Sequence, residues 1–177
     1  MVQILAALLS VLGLCSTLAG LFFQEQSIHR KLAFLFVAIF LLTGAGLERN
    51  SYYVALESVI LLGCILGLLP RLRGKTGIIG LASVAALVYI SPLKSFEDIL
   101  SAAGLIAIAF GYALGTPIWY GLGSAAVCVH AWTSFARLPS VLLGALGTLN
   151  LVFATLSLWQ TFKARSDLTT QQQISQP

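Results

Sequence analysis

Polar and apolar positions along this chain fall in blocks. Long runs with scarcely a charge alternate with short clusters rich in Pro, Gly, Ser and charged residues. Seven apolar runs stand out: Val2 to Phe23, Leu32 to Leu47, Tyr53 to Leu69, Thr76 to Ile90, Ile99 to Leu114, Ile118 to Phe135 and Ser140 to Phe162. A helix needs about 20 apolar residues to cross the hydrocarbon core, and about 17 suffice. The pattern therefore predicts an all-α fold, a polytopic membrane helix bundle of about seven transmembrane helices. Residues 1–162 would form one transmembrane domain. Residues 163–177, polar and Gln-rich, are expected as a disordered cytoplasmic tail. Pro70, Pro92, Pro117 and Pro139 all fall at proposed helix ends, where proline is best tolerated. The fourth run is short, and a re-entrant fourth segment would leave six spans.

Composition agrees with the blocks. Of 177 residues, 58% are hydrophobic and 9% charged, where a soluble domain carries about 25% charged residues. So few charges cannot wet a folded surface, and the lipid bilayer is the expected partner. A soluble enzyme, a nucleic-acid reader and a disordered chain are excluded. The net charge of +4 sits in short clusters between the runs, so it reads as a topology signal. With seven spans and the N-terminus outside, the inner face holds Arg30, Lys31, Arg71, Arg73, Lys75, Lys163 and Arg165. The outer face then holds Arg49, Lys94 and Arg137. That bias orients the N-terminus outside and the C-terminus in the cytoplasm. Met1 to Phe23 carries no basic residue, so it reads as a retained first span, not a signal peptide.

Few residues could carry chemistry. Cys15, Cys64 and Cys128 each lie in an apolar run without metal-ligand spacing, so they read as small hydrophobes. Walker, nucleophile-elbow, zinc-protease and dinucleotide motifs are absent from the sequence. No enzyme activity, catalytic residue, cofactor or metal is expected. Glu57 stands out, because a carboxylate inside a span costs about 2.5–3.5 kcal/mol at mid-membrane. It reads either as a substrate, proton or helix-pairing group, or as an interfacial carboxylate paired with Arg49 or Lys94. His130, with Trp132 two residues on, reads as a proton carrier or as a tie between helices. Asn150 lies in the middle of the seventh run, where its amide needs partners inside a bundle. Gly63–Gly67 and Gly111–Gly115 allow close helix contact within the chain. Tyr52, Tyr53, Trp119, Tyr120 and Trp159 sit near helix ends and read as interfacial anchors.

A shift of 95 residues lays Ile4-Leu5-Ala6-Ala7 on Ile99-Leu100-Ser101-Ala102 and Gly20 on Gly115. The implied layout is 3+1+3: three helices, a linking helix, three helices. An odd linker makes the triplets parallel repeats, a transporter design. The basic first loop (His29-Arg30-Lys31), the short linking helix, Val129-His130 with a nearby Trp, Asn150, and Trp159 before a basic tail form a set. In that layout the chain resembles the small seven-helix bacterial inner-membrane proteins of the YgjV type, and more distantly the sugar-transporter and PQ-loop group. The resemblance implies a bacterial inner (plasma) membrane location. It also implies a substrate-facing Asn in the last helix of each triplet. Asn150 matches that position in the second triplet, and Glu57 is the nearest candidate in the first. The Pro-Gln pair of the PQ-loop group is absent.

The expected function is that of a small integral membrane transporter-like protein. It would move a small-molecule solute by facilitated or ion-coupled transport, with Glu57, His130, Trp132 and Asn150 lining the substrate-binding pocket. Glu57 or His130 would be the proton site if a proton is coupled. The alternative is a non-catalytic accessory or assembly subunit of a larger membrane complex, and a homo-oligomer fits either reading. A third reading is the substrate-binding component of a multi-subunit importer.

Overall fold

The computed structural model describes residues 2–23, 27–69, 76–91, 93–137 and 141–174. They form seven helices: α1 (Val2–Leu21), α2 (Ile28–Leu47), α3 (Ser51–Leu68), α4 (Thr76–Tyr89), α5 (Phe96–Leu114), α6 (Pro117–Arg137) and α7 (Val141–Ile174). No strand occurs among the described residues. Pro70, Arg71, Arg73, Lys75, Pro92 and Pro139 lie outside them, as does the side chain of Arg165.

Each apolar run became a helix, and local capping set where several of them begin. Ser27 accepts a hydrogen bond from the Arg30 amide and starts α2 at Ile28, four residues ahead of the apolar run. Ser95 and Asp98 form a reciprocal capping box that starts α5 at Phe96. Gly115, at φ 67°, takes the left-handed cap that closes α5, and Pro117 opens α6. The helix of α7 continues past Lys163 to Ile174, through most of the segment whose composition suggested disorder.

Packing follows a ring. Consecutive contacts run α1–α2, α2–α3, α3–α5, α5–α6, α6–α7 and back from α7 to α1, while α4 lies outside against α3 and α5. Glycines set the tightest seams. Gly63 and Gly67 of α3 lie against the backbone of α5 at Ala109 and Tyr112, with no room for a Cβ. Gly104 of α5 and Gly123 of α6 face each other's carbonyls in the same way. The Gly111–Gly115 pair splits its roles: Gly111 admits the start of α6 at Tyr120, and Gly115 is the cap.

The outside of the ring is apolar. On α4, Leu81, Val84 and Val88 are all exposed, as are Ile4, Leu8 and Leu12 on α1. Such extended apolar surface has no place in water. Four helices among the described residues are long and apolar enough to cross a membrane: Ile4–Leu21, Ile28–Leu47, Ser51–Leu68 and Phe96–Leu114. The molecule is therefore an all-helical integral membrane protein. At 14 residues, α4 rises about 21 Å, short of the hydrocarbon thickness.

Candidate functional site

The ring encloses a cavity of about 250 Å³. Its wall is mostly apolar, built from Leu14, Val37, Leu41, Ile60, Leu105, Ile108, Val127 and Leu149 among others. Polar groups enter from four helices: Ser10 and Thr17 (α1), Tyr53 and Glu57 (α3), Ser124 (α6) and Asn150 (α7). Glu48, at the end of α2, lines it too and is exposed, so the cavity reaches the surface at that end.

The mouth is shaped by the α2–α3 turn. Arg49 adopts φ 53°, a left-handed conformation that a side chain makes unfavourable. Asn50 then caps α3 by accepting from the Tyr53 amide at 3.3 Å. This strained three-residue reversal, Glu48-Arg49-Asn50, keeps Glu48 and Tyr53 on the same cavity.

The polar liners are not equivalent. Ser10 and Thr17 donate to carbonyls one turn back on their own helix, at 3.0 and 3.1 Å. Asn150 donates its amide to the Leu146 carbonyl at 2.9 Å. Ser124 Oγ and Glu57 Oε2 are buried without a hydrogen-bond partner among the described residues. Glu57 is only 6% exposed. An unpaired carboxyl in such a place is costly to keep, and that cost points to a function.

Of the four residues expected to line one pocket, Glu57 and Asn150 meet in this cavity. His130 is buried one step behind it. The Glu97 carbonyl can only accept, so His130 Nδ1 donates to it at 3.1 Å, and Nε2 receives the Tyr53 hydroxyl at 3.3 Å. His130 thus ties α6 to α3 and α5 and holds the Tyr53 ring in the wall. Trp132 is 41% exposed, packs edge-to-face on Phe135 and lies against Gly147. It is not among the residues that line the cavity. Tyr52 and Tyr53, read from sequence as interfacial anchors, turn inward instead; Tyr52 donates to the Asp98 carbonyl at 2.7 Å. Arg137 pairs with Glu97 at 2.6 Å across the same end of the bundle. Trp119 and Trp159 do face outward, and Lys163 sits over the Trp159 ring.

The opposite end of the ring is filled. Phe34 (α2), Tyr112 (α5), Tyr120 (α6) and Phe153 (α7) form one aromatic layer, with ring centroids 4.5–6.2 Å apart. Tyr112 and Phe153 are the floor of the cavity. Behind them lies Arg30, only 3% exposed. Its Nη2 donates to Tyr120 Oη at 2.9 Å and to Gln160 Oε1 at 3.1 Å, and the guanidinium sits near the Phe34 and Tyr120 rings. Gln160 in turn donates to the Leu21 carbonyl at 3.2 Å. No carboxylate pairs with Arg30 among the described residues, and its Nη1 has no partner.

This knot was hidden in the sequence because Arg30 precedes the apolar run and reads as a loop charge. The signal was Ser27: with a cap there, Arg30 falls on the α2 stripe of Phe34, Val37 and Ala38, all buried. No group of three or more His, Cys, Asp or Glu gathers as a metal site among the described residues. Comparison with protein-family models, curated proteins and solved structures finds no match for this chain.

Proposed function

We propose that the protein is a small membrane transporter of the 3+1+3 type. It would sit with seven spans in a bacterial inner membrane, the short α4 matched by local thinning of the bilayer, N-terminus outside and C-terminus cytoplasmic. The observation that carries this reading is the central cavity, which is open beside Glu48 and closed by the aromatic layer. A pocket between two helix triplets, accessible from one end, is what alternating access requires.

The closed end supports the same reading. Every bond of the Arg30 knot joins the first three helices to the last three: α2 to α6 and α7, and α7 to α1. The Phe34 ring likewise stacks across to Tyr112. Parting the triplets there would open the far side, with the glycine-tight α3–α5 seam as the pivot. Glu57, Ser124 and Asn150 would be the polar contacts of the solute. His130 would act through Tyr53 as a positioning residue.

The test is solute entry into proteoliposomes, followed by vesicle swelling with a panel of small polyols, amino acids, amines and carboxylates. Wild-type vesicles should admit at least one class faster than empty ones. Asn150→Leu, which fills the cavity, should lose that flux. Vesicles indistinguishable from empty ones across the panel would reject the transporter reading. A different protein co-purifying in stoichiometric amount would then favour the accessory-subunit reading.

A further inference from the structure

From the lining of the central cavity we infer that its solute is a small organic cation, a protonated or quaternary amine with an apolar body. The inference rests on the reading of that cavity as the solute site and names the solute's chemical class.

Charge is the first argument. The two acidic residues among the described liners are Glu48 and Glu57. No Lys, Arg or His lines the cavity among the described residues. Arg30 lies behind the aromatic layer and turns its guanidinium to Tyr120 and Gln160. Glu57 lines the cavity, and its Oε2 is buried in the wall with no protein donor among the described residues. A turn of the carboxyl toward the cavity would let an ammonium N–H supply the missing donor as a charge-assisted hydrogen bond.

The aromatic rings are the second argument. Tyr53, Tyr112 and Phe153 all line the same space. Aromatic rings attract desolvated cations through their electron-rich faces. An anion would meet the carboxyls with no cationic side chain among the described liners to offset them, and is rejected.

Neutral polar solutes fit the wall less well. A sugar carries several hydroxyls, each needing a partner once buried. Here Ser10 and Thr17 already donate to their own helix, and Tyr53 to His130. Ser124, Asn150 and the two glutamates remain as polar liners, and they stand against a wall that is otherwise mostly apolar. A polyol would press hydroxyls against that apolar majority, whereas an amine with an apolar body would match it. Size sets the bound: an apolar cavity of about 150 Å³ holds benzene, so one of about 250 Å³ takes roughly ten non-hydrogen atoms by the same ratio.

The test uses three probes of similar size and shape: phenethylammonium, 2-phenylethanol and phenylacetate. Thermal unfolding of the full chain in mild detergent is followed by tryptophan fluorescence. Phenethylammonium in large excess should raise Tm by about 5 °C. The alcohol and the carboxylate should bind at least tenfold more weakly, and Glu57→Gln should weaken the cation tenfold or more. An equal shift from the alcohol or carboxylate, no shift from the cation, or a Glu57→Gln protein that keeps the full shift would overturn the inference. If that variant fails to fold, the three probes on wild type decide alone. Proteoliposomes separate the two readings. Cation binding without uptake sinks transport and keeps the solute class. Uptake of a neutral or anionic solute with no cation binding does the reverse.

Discussion

The two halves of the ring are built from the same kind of residue to opposite ends. On the Glu48 side, the centre is empty and two buried polar groups, Glu57 Oε2 and Ser124 Oγ, have no partner. On the Arg30 side, four aromatic rings from four helices close the centre, and a guanidinium ties them together. A bundle seeking only stability would fill both halves, because interiors pack to crystal-like density. The difference shows where stability has been withheld, and unfilled space with unmet polar groups is the mark of a binding site.

The comparison breaks hardest at Phe34. Phe34→Ala should cost about 3–5 kcal/mol, since a ring at the centre of the layer leaves a cavity that its neighbours cannot fill. Reversible unfolding in mixed micelles would measure it, and a loss under about 1 kcal/mol would mean that the layer is not a structural plug. Tyr120→Phe comes next. It removes the hydroxyl that accepts from Arg30, at about 1.5–3 kcal/mol for a hydrogen bond to a charged group. Arg30→Met should cost less than Tyr120→Phe in the same assay. It takes away the buried charge together with its bonds, and that exchange is often close to neutral. The reverse order would show that the guanidinium is worth more than its desolvation cost.

On the open side, the same chemistry should hardly register. Ser124→Ala removes a hydroxyl that has no partner, so the stability change should stay within about 0.5 kcal/mol. A cost above about 1 kcal/mol would reveal a bond that the empty cavity does not display.

The elements were legible because the blocks of apolar sequence are so clean. Their ends were less so: α2 and α5 begin in polar first turns capped by Ser27 and Ser95, which an apolar-run reading places in loops. That offset hid Arg30. Glu57 and Asn150 were visible because a lone carboxyl or amide in hydrocarbon has no cheap explanation. The aromatic layer was not. Phe34, Tyr112 and Phe153 are ordinary residues for an apolar helix, and nothing local says that they converge. Helix facing is unreadable where nearly every position is apolar. His130 was legible as a tie between helices but its partners were not, and Tyr53 reads as an anchor: sequence gives depth along a helix but not the neighbour across it, and their hydrogen bond spans two helices far apart in the chain.

One measurement addresses the central claim, that the cavity opens beside Glu48, is acidic and is sealed by the aromatic layer. It places a cysteine at Ser10, a half-buried liner near the Glu48 end, in a chain whose Cys15, Cys64 and Cys128 are alanine. Right-side-out and inverted membrane vesicles are then treated with membrane-impermeant methanethiosulfonates, one cationic and one anionic. The account predicts reaction from the Glu48 face alone, with the cationic reagent at least tenfold faster. Equal reaction from both faces, or an anionic reagent as fast as the cationic one, would contradict it.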